Sequence, residues 1–139
     1  MEDTGFLLMS ISKKLKQVMN RSLGEGDITI SQWALLASMS RDDKPVTAAE
    51  LATALDMDKP TVSGIVKRLV TKELIAESPR ATDRRARDLV LTPQGRKTFQ
   101  ECAAVSGMTT SWFLQPLTMP EQEQLRGLLT KLDEGTNNE

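Results

Sequence analysis

The stretch ATDRRARDLVLTPQG, Ala81 to Gly95, places Arg84, Arg85 and Arg87 within four residues, directly after Arg80, and then runs into Leu89-Val90-Leu91. A short apolar run behind a block of cations reads as the returning strand of a β-hairpin. Its partner is Leu74-Ile75-Ala76-Glu77-Ser78, the return is Ala86 to Leu91, and Pro79 to Arg85 form a basic tip between them. Thr92-Pro93 follows at once as a helix N-cap and first-turn proline, a position where the missing N–H would have been unpaired anyway. The spacing therefore predicts strand, basic turn, strand, helix.

Upstream, Thr47-Ala-Ala-Glu50 has capping-box spacing and opens a short helix over about Ala48 to Leu55. Asp56-Met57-Asp58 makes a tight connection, and Pro60 suits the first turn of the next helix. Two helices so closely joined predict a helix-turn-helix. In the second, Val62, Ile65, Val66, Leu69 and Val70 form one apolar stripe, while Pro60, Gly64, Lys67 and Thr71 point the other way, flanked by Thr61, Ser63 and Arg68. No acid occurs from Lys59 to Thr71. Gly64 sits in the helix at a cost of about 1 kcal/mol, which close approach to a rigid surface would account for.

The outer segments are helical. Phe6, Leu8, Ile11, Leu15, Val18, Met19 and Leu23 recur at three- and four-residue spacing up to Gly24. Gly24 to Thr29 read as a loop, and Ser31 is a candidate cap for a helix carrying Trp33, Leu36, Ala37 and Met39. After Thr92, apolar positions Phe99, Cys102, Ala103, Ser106 and Phe113 predict a long helix weakened at Gly107 and stopped by Pro116. Thr118-Met-Pro-Glu121 opens a last helix striped by Leu125, Leu128, Leu129 and Leu132, and Gly135 to Glu139 read as a frayed tail.

The fold expected is mainly α with a small β-hairpin wing, a winged helix-turn-helix flanked by dimerisation helices. Residues 1–30 would form an N-terminal dimerisation helix and loop, 31–98 the winged module (recognition helix about 59–72, wing about 74–91), and 99–139 the C-terminal dimerisation helices. The first helix is apolar on more than one side and the last is leucine-striped, so pairing them with a second chain would bury both. A two-fold dimer would also set two helix-turn-helix units about 34 Å apart, the separation of successive major grooves.

Composition bounds the chemistry. The chain has 139 residues, one cysteine and no histidine, with net charge −1. An internal disulfide, a Cys/His zinc site and Ser-His-Asp or Cys-His catalysis are excluded, and no convergent catalytic set remains, so neither enzyme activity, cofactor nor metal is expected. No run is long and apolar enough to span a membrane, and the opening residues are acidic where a signal peptide would be basic, which points to the cytoplasm. The neutral total hides an asymmetry. Lys59 to Lys97 holds ten basic residues against four acids, +6, and leaves −7 for the rest. A basic block of that kind attracts a polyanion by counterion release.

In this order the motifs resemble those of the MarR family of transcriptional regulators over nearly the whole chain. Asp83-Arg84-Arg85, Leu91-Thr92 and Gly95 match the family's wing spacing, Lys59 to Leu69 resembles its recognition helix, and Ile30-Ser31-Gln32-Trp33 the start of its second helix. The resemblance implies a homodimer with intertwined terminal helices on a pseudo-palindromic operator in double-stranded DNA. It implies Arg85 in the minor groove, Asp83 orienting it by a charge-assisted hydrogen bond, and Arg84 and Arg87 on phosphates. Thr61, Ser63, Gly64 and Lys67 would face the major groove, with Pro60 beside them and Lys59 and Arg68 nearer the backbone. Many relatives release DNA when a small ligand binds between the dimer helices and the winged module. Met19, Trp33 and Phe99 are the candidate lining here, although such positions commonly serve as plain core. Redox-sensing members usually carry their cysteine in the first helix, whereas Cys102 falls on the apolar side of the fifth. The competing reading is a winged-helix interaction module whose basic face meets an acidic protein; the small, hydroxylated outward face of Thr61, Ser63 and Gly64 argues against it.

Overall fold

The structure, a computed structural model, describes residues 3–137. In chain order the elements are α1 (Thr4–Gly24), α2 (Ile30–Ser40), α3 (Ala48–Leu55), α4 (Lys59–Thr71), β1 (Ile75–Arg80), β2 (Asp83–Leu91), α5 (Pro93–Phe113) and α6 (Met119–Thr136). The two strands pair antiparallel, and Val46 adds an isolated bridge to Leu89 on the other side of β2. No helix among the described residues is long and apolar enough to cross a membrane.

The core lies where α2, α4 and the base of the wing meet. Leu35, Leu36, Val62, Leu69, Ile75 and Leu89 are its fully buried side chains, so the stripe expected on α4 is the face that buries. Met19 and Leu23 extend it into α1, Leu51 and Ala52 into α3, and Cys102 into α5. Trp33 and Phe99 pack against its margin.

Helix starts follow local hydrogen-bond chemistry closely. Thr118 and Glu121 complete their expected capping box, and Thr92 caps α5. α2 is capped by Thr29, two residues ahead of the expected Ser31, because Thr29 and Gln32 form a reciprocal box that satisfies two free N–H groups. At α3 only half of the expected box forms. The Thr47 hydroxyl accepts the Glu50 N–H at 3.2 Å, while the Glu50 carboxylate reaches Arg80 on the wing instead.

The wing strands are longer than their spacing suggested, with only Ala81 and Thr82 between them. Pro79 is accommodated opposite Arg87 because β1 is an edge strand, where a missing N–H costs no ladder bond. The register then jumps to Arg80 opposite Asp83, leaving Arg84, Arg85 and Ala86 without partners in a bulge. The joint between β2 and α5 is tight. Thr92 Oγ1 donates to the Glu73 carbonyl at 2.7 Å and accepts the Gly95 N–H at 2.9 Å. A Cβ on Gly95 would collide with the Leu74 carbonyl oxygen, so only glycine fits this approach.

Three further expectations change. Gly107 leaves α5 unbroken, and Ala103 is exposed rather than on the apolar side. The tail expected from Gly135 is instead helical through Thr136, and the Asn137 N–H bonds to the Asp133 carbonyl; Asn138 and Glu139 lie outside the described residues.

Candidate nucleic-acid interface

The turn between α3 and α4 sets the angle of the second helix. Asp56 takes a left-handed conformation, φ 52°, and its N–H closes onto the end of α3. Asp58 then caps α4: one carboxylate oxygen accepts the Thr61 N–H and the other the Thr61 hydroxyl, each at 2.8 Å. The backbone bond and then the hydroxyl bond hold the Asp58 carboxyl below the usual aspartate range. Thr61 thus commits its hydroxyl hydrogen to the cap and keeps only acceptor capacity for an external ligand.

With its stripe buried, α4 presents Lys59, Pro60, Thr61, Ser63, Gly64, Lys67 and Arg68 to solvent. A Cβ added to Gly64 would meet nothing within 4 Å. The protein's own packing therefore does not require this glycine, and its helix-weakening cost is consistent with an outside surface approaching closely.

Asp83, Arg84, Arg85 and Arg87 on the wing are likewise exposed. Asp83 Oδ1 accepts the backbone N–H of Arg85 at 3.0 Å, so its hold on Arg85 runs through the main chain of the bulge and not through the guanidinium. Arg87 is partly engaged by Glu77 at 3.4 Å. Among the described residues, Lys59, Lys67, Arg68, Arg84 and Arg85 have no carboxylate within ion-pair distance. Two other cations of the basic block are structural. Arg80 bonds Asp88 and Glu50, and Lys72 ties the end of α4 to Asp27 and to Gln32 at 3.2 Å.

A groove of about 640 Å³ separates α4 from β2 and brings Ser63 and Lys67 together with Arg85 and Arg87, and the acids Glu77 and Asp83 line it as well. Lys59, Pro60, Thr61, Gly64, Arg68 and Arg84 are exposed but do not line it. Residues that spacing alone did not single out also line the groove: Thr47, Ala48 and Ala49 at the start of α3. Their capping signal marked a helix start; what carries that start to the wing is the Val46–Leu89 bridge, a pairing between segments far apart in sequence.

Away from this face, Met19, Trp33 and Phe99 belong to the core or its margin. Trp33 Nε1 is a buried donor without a partner among the described residues. Cys102 is buried, and burial, followed by the nearby Glu101 charge, pushes its thiol upward, away from the reactive thiolate.

A winged module of this geometry has known relatives. The MarR family model matches residues 26–86. The HTH-type transcriptional repressor MdtR of Bacillus subtilis (strain 168) is 29% identical over 132 residues, which span 95% of this chain and 84% of the repressor. Among solved structures, a "probable transcriptional regulator" from Pseudomonas aeruginosa superposes with a TM-score of 0.82 at 31% identity, covering 94% of this chain and 97% of its own. A MarR mutant from E. coli in complex with operator DNA superposes with a TM-score of 0.79 at 27% identity, covering 92% of this chain and 91% of its own. In sequence motifs, element order and whole-chain superposition alike, the chain belongs to the MarR family.

Proposed function

We propose that the chain is a sequence-specific double-stranded DNA-binding repressor of transcription that works as a homodimer on a pseudo-palindromic operator. The observation that carries this is the shared face of α4 and the wing. Unpaired cations and small hydroxylated residues flank a groove there; Asp58 is turned to a helix cap, Glu50 and Asp88 hold Arg80, and the two acids that line the groove, Glu77 and Asp83, are engaged by Arg87 and the Arg85 N–H. Ser63, Gly64, Lys67 and the acceptor oxygen of Thr61 would meet base edges in the major groove beside Pro60. Arg85, held by the Asp83-bound bulge, would reach the minor groove, and Lys59, Arg68, Arg84 and Arg87 would neutralise phosphates. The relatives described as a repressor and as an operator complex support this reading.

The dimer is supported by what one chain leaves uncovered. Phe6, Met9, Met108, Trp112, Met119 and Leu132 are each more than half exposed, and α6 buries no residue. Apolar surface of that extent marks an interface. A small effector that altered the spacing of the two recognition helices would release DNA, with Met19, Trp33 and Phe99 as candidate contacts and the cytoplasm as the compartment of action.

Selection of bound fragments from genomic DNA, followed by anisotropy titration over a salt series, tests the reading. Affinity for a palindromic site should fall steeply with salt, and Arg85→Ala should cost about 1–3 kcal/mol. A folded dimer that shifts no DNA at low salt would instead favour a protein partner for the same face.

A further inference from the structure

We propose that Arg80 is a positioning residue, locking the wing against the helix-turn-helix so that Arg85 is held at a fixed distance from α4; this rests on the DNA-binding reading above. The wing is a two-stranded hairpin, a unit that is marginal without support. Its base is secured by Ile75, Leu89 and the Val46 bridge, but these lie at the end away from the turn. Nearer the turn the ties are ionic. Arg80 Nε donates to Asp88 Oδ1 at 2.7 Å and its Nη1 donates to Glu50 Oε1 at 2.9 Å.

The first bond braces the two strands across the register jump, because Arg80 precedes the bulge and Asp88 follows it. The second leaves the wing altogether. Among the described residues, Arg80–Glu50 is the one ion pair joining the wing to the helix-turn-helix. Glu50 forgoes the return bond of its capping box to make it. A guanidinium can reach two carboxylates in fixed directions, whereas an ammonium is a point charge on a flexible stem. Geometry at this position therefore matters separately from charge. Arg80 is part of the basic cluster by sequence, yet in the fold its charge is spent on two acids rather than offered to a polyanion.

The test compares Arg80→Met, Arg80→Lys and Glu50→Gln in the full-length protein, free and with operator DNA. In the free protein, exchange of the Arg85 amide, which Asp83 holds, and of the paired strand residues Ser78 and Asp88 beside the bulge should accelerate in all three, with α4 amides unchanged. Operator affinity should fall about tenfold, the share of one well-placed contact, and Arg80→Lys should recover little of it. In an Arg85→Ala background the same substitutions should cost almost nothing, since the residue being aimed is gone. Full recovery by lysine, or a loss additive with Arg85→Ala, would overturn the proposal in favour of direct phosphate contact. Unchanged wing exchange would overturn it as well. That arm needs no DNA, so it decides the clamp even where wild-type protein fails to bind any operator, the outcome that would sink the DNA-binding reading itself.

Discussion

The carboxylate of Asp83 accepts the main-chain N–H of Arg85 at 3.0 Å, closing a two-residue loop at the start of the wing bulge. This bond sets two physical effects against each other. As a charge, Asp83 opposes a polyanion, and its removal should strengthen binding; as a bulge anchor, its removal should let Arg85 wander. We expect geometry to win, because an exposed charge is screened within about 10 Å at ordinary salt while a misplaced contact is lost outright. Asp83→Ala should thus weaken operator binding about tenfold with little change in melting temperature. Anisotropy titration that showed tighter binding would contradict it.

Gly95→Ala tests the joint between wing and fifth helix. The new methyl would run into the Leu74 carbonyl, a backbone group fixed by the Thr92 N–H and unable to turn aside as a side chain would. Overpacking of this kind costs about 1–3 kcal/mol. Urea denaturation should show a lower midpoint at unchanged slope. A variant as stable as wild type would mean that the strand end relaxes freely.

These two residues show how unevenly the fold was legible. Thr92 and Pro93 disclose their roles by spacing, because a helix cap depends on neighbours a few positions away, whereas the close approach of Gly95 to the Leu74 carbonyl joins distant segments and appears only in the fold. The α4 stripe was readable for the same reason: helical period fixes which residues share a face, and Val62 to Leu69 bury accordingly. The bulge was not, since it depends on how Pro79 and Arg80 meet Arg87 and Asp83 across the hairpin. Nor could counting charges separate Arg80 from Arg84. Glu50 lies 30 positions from Arg80 and is its partner only after α3 and the wing have packed. The candidate DNA face was legible as a set of residues, and its division into groove lining, surface and clamp came only from tertiary contacts.

Acid stability offers a test of the helix-turn-helix cap. Asp58 is held below its ordinary value by the Thr61 N–H and hydroxyl, so its folded form binds a proton less readily than the unfolded chain does. The resulting stabilisation is fully present above about pH 4, the usual aspartate range, and is lost as pH falls through the lowered folded value. Asp58→Asn keeps a capping oxygen without titrating. Melting temperature should therefore fall less steeply below pH 4 in this variant than in wild type, with the two converging at the acid end. Parallel curves would show that the cap contributes no proton linkage.

The leucine stripe of α6 permits a cleaner experiment than most interface residues do. Leu128, Leu129 and Leu132 are 55%, 45% and 56% exposed, and α6 buries none of its residues within its own chain. A substitution there removes almost nothing from the monomer's core, so its consequences are intermolecular. Leu129→Lys with Leu132→Lys places two charges where a partner's apolar surface would sit, and burying an unpaired charge costs several kcal/mol. Sedimentation should then show a monomer with wild-type helix content. Operator affinity should fall by about 100-fold or more, because losing the second half-site forfeits the avidity of a linked pair. A persistent dimer with unchanged affinity would place the interface elsewhere and leave the exposed face of α6 without a role in assembly.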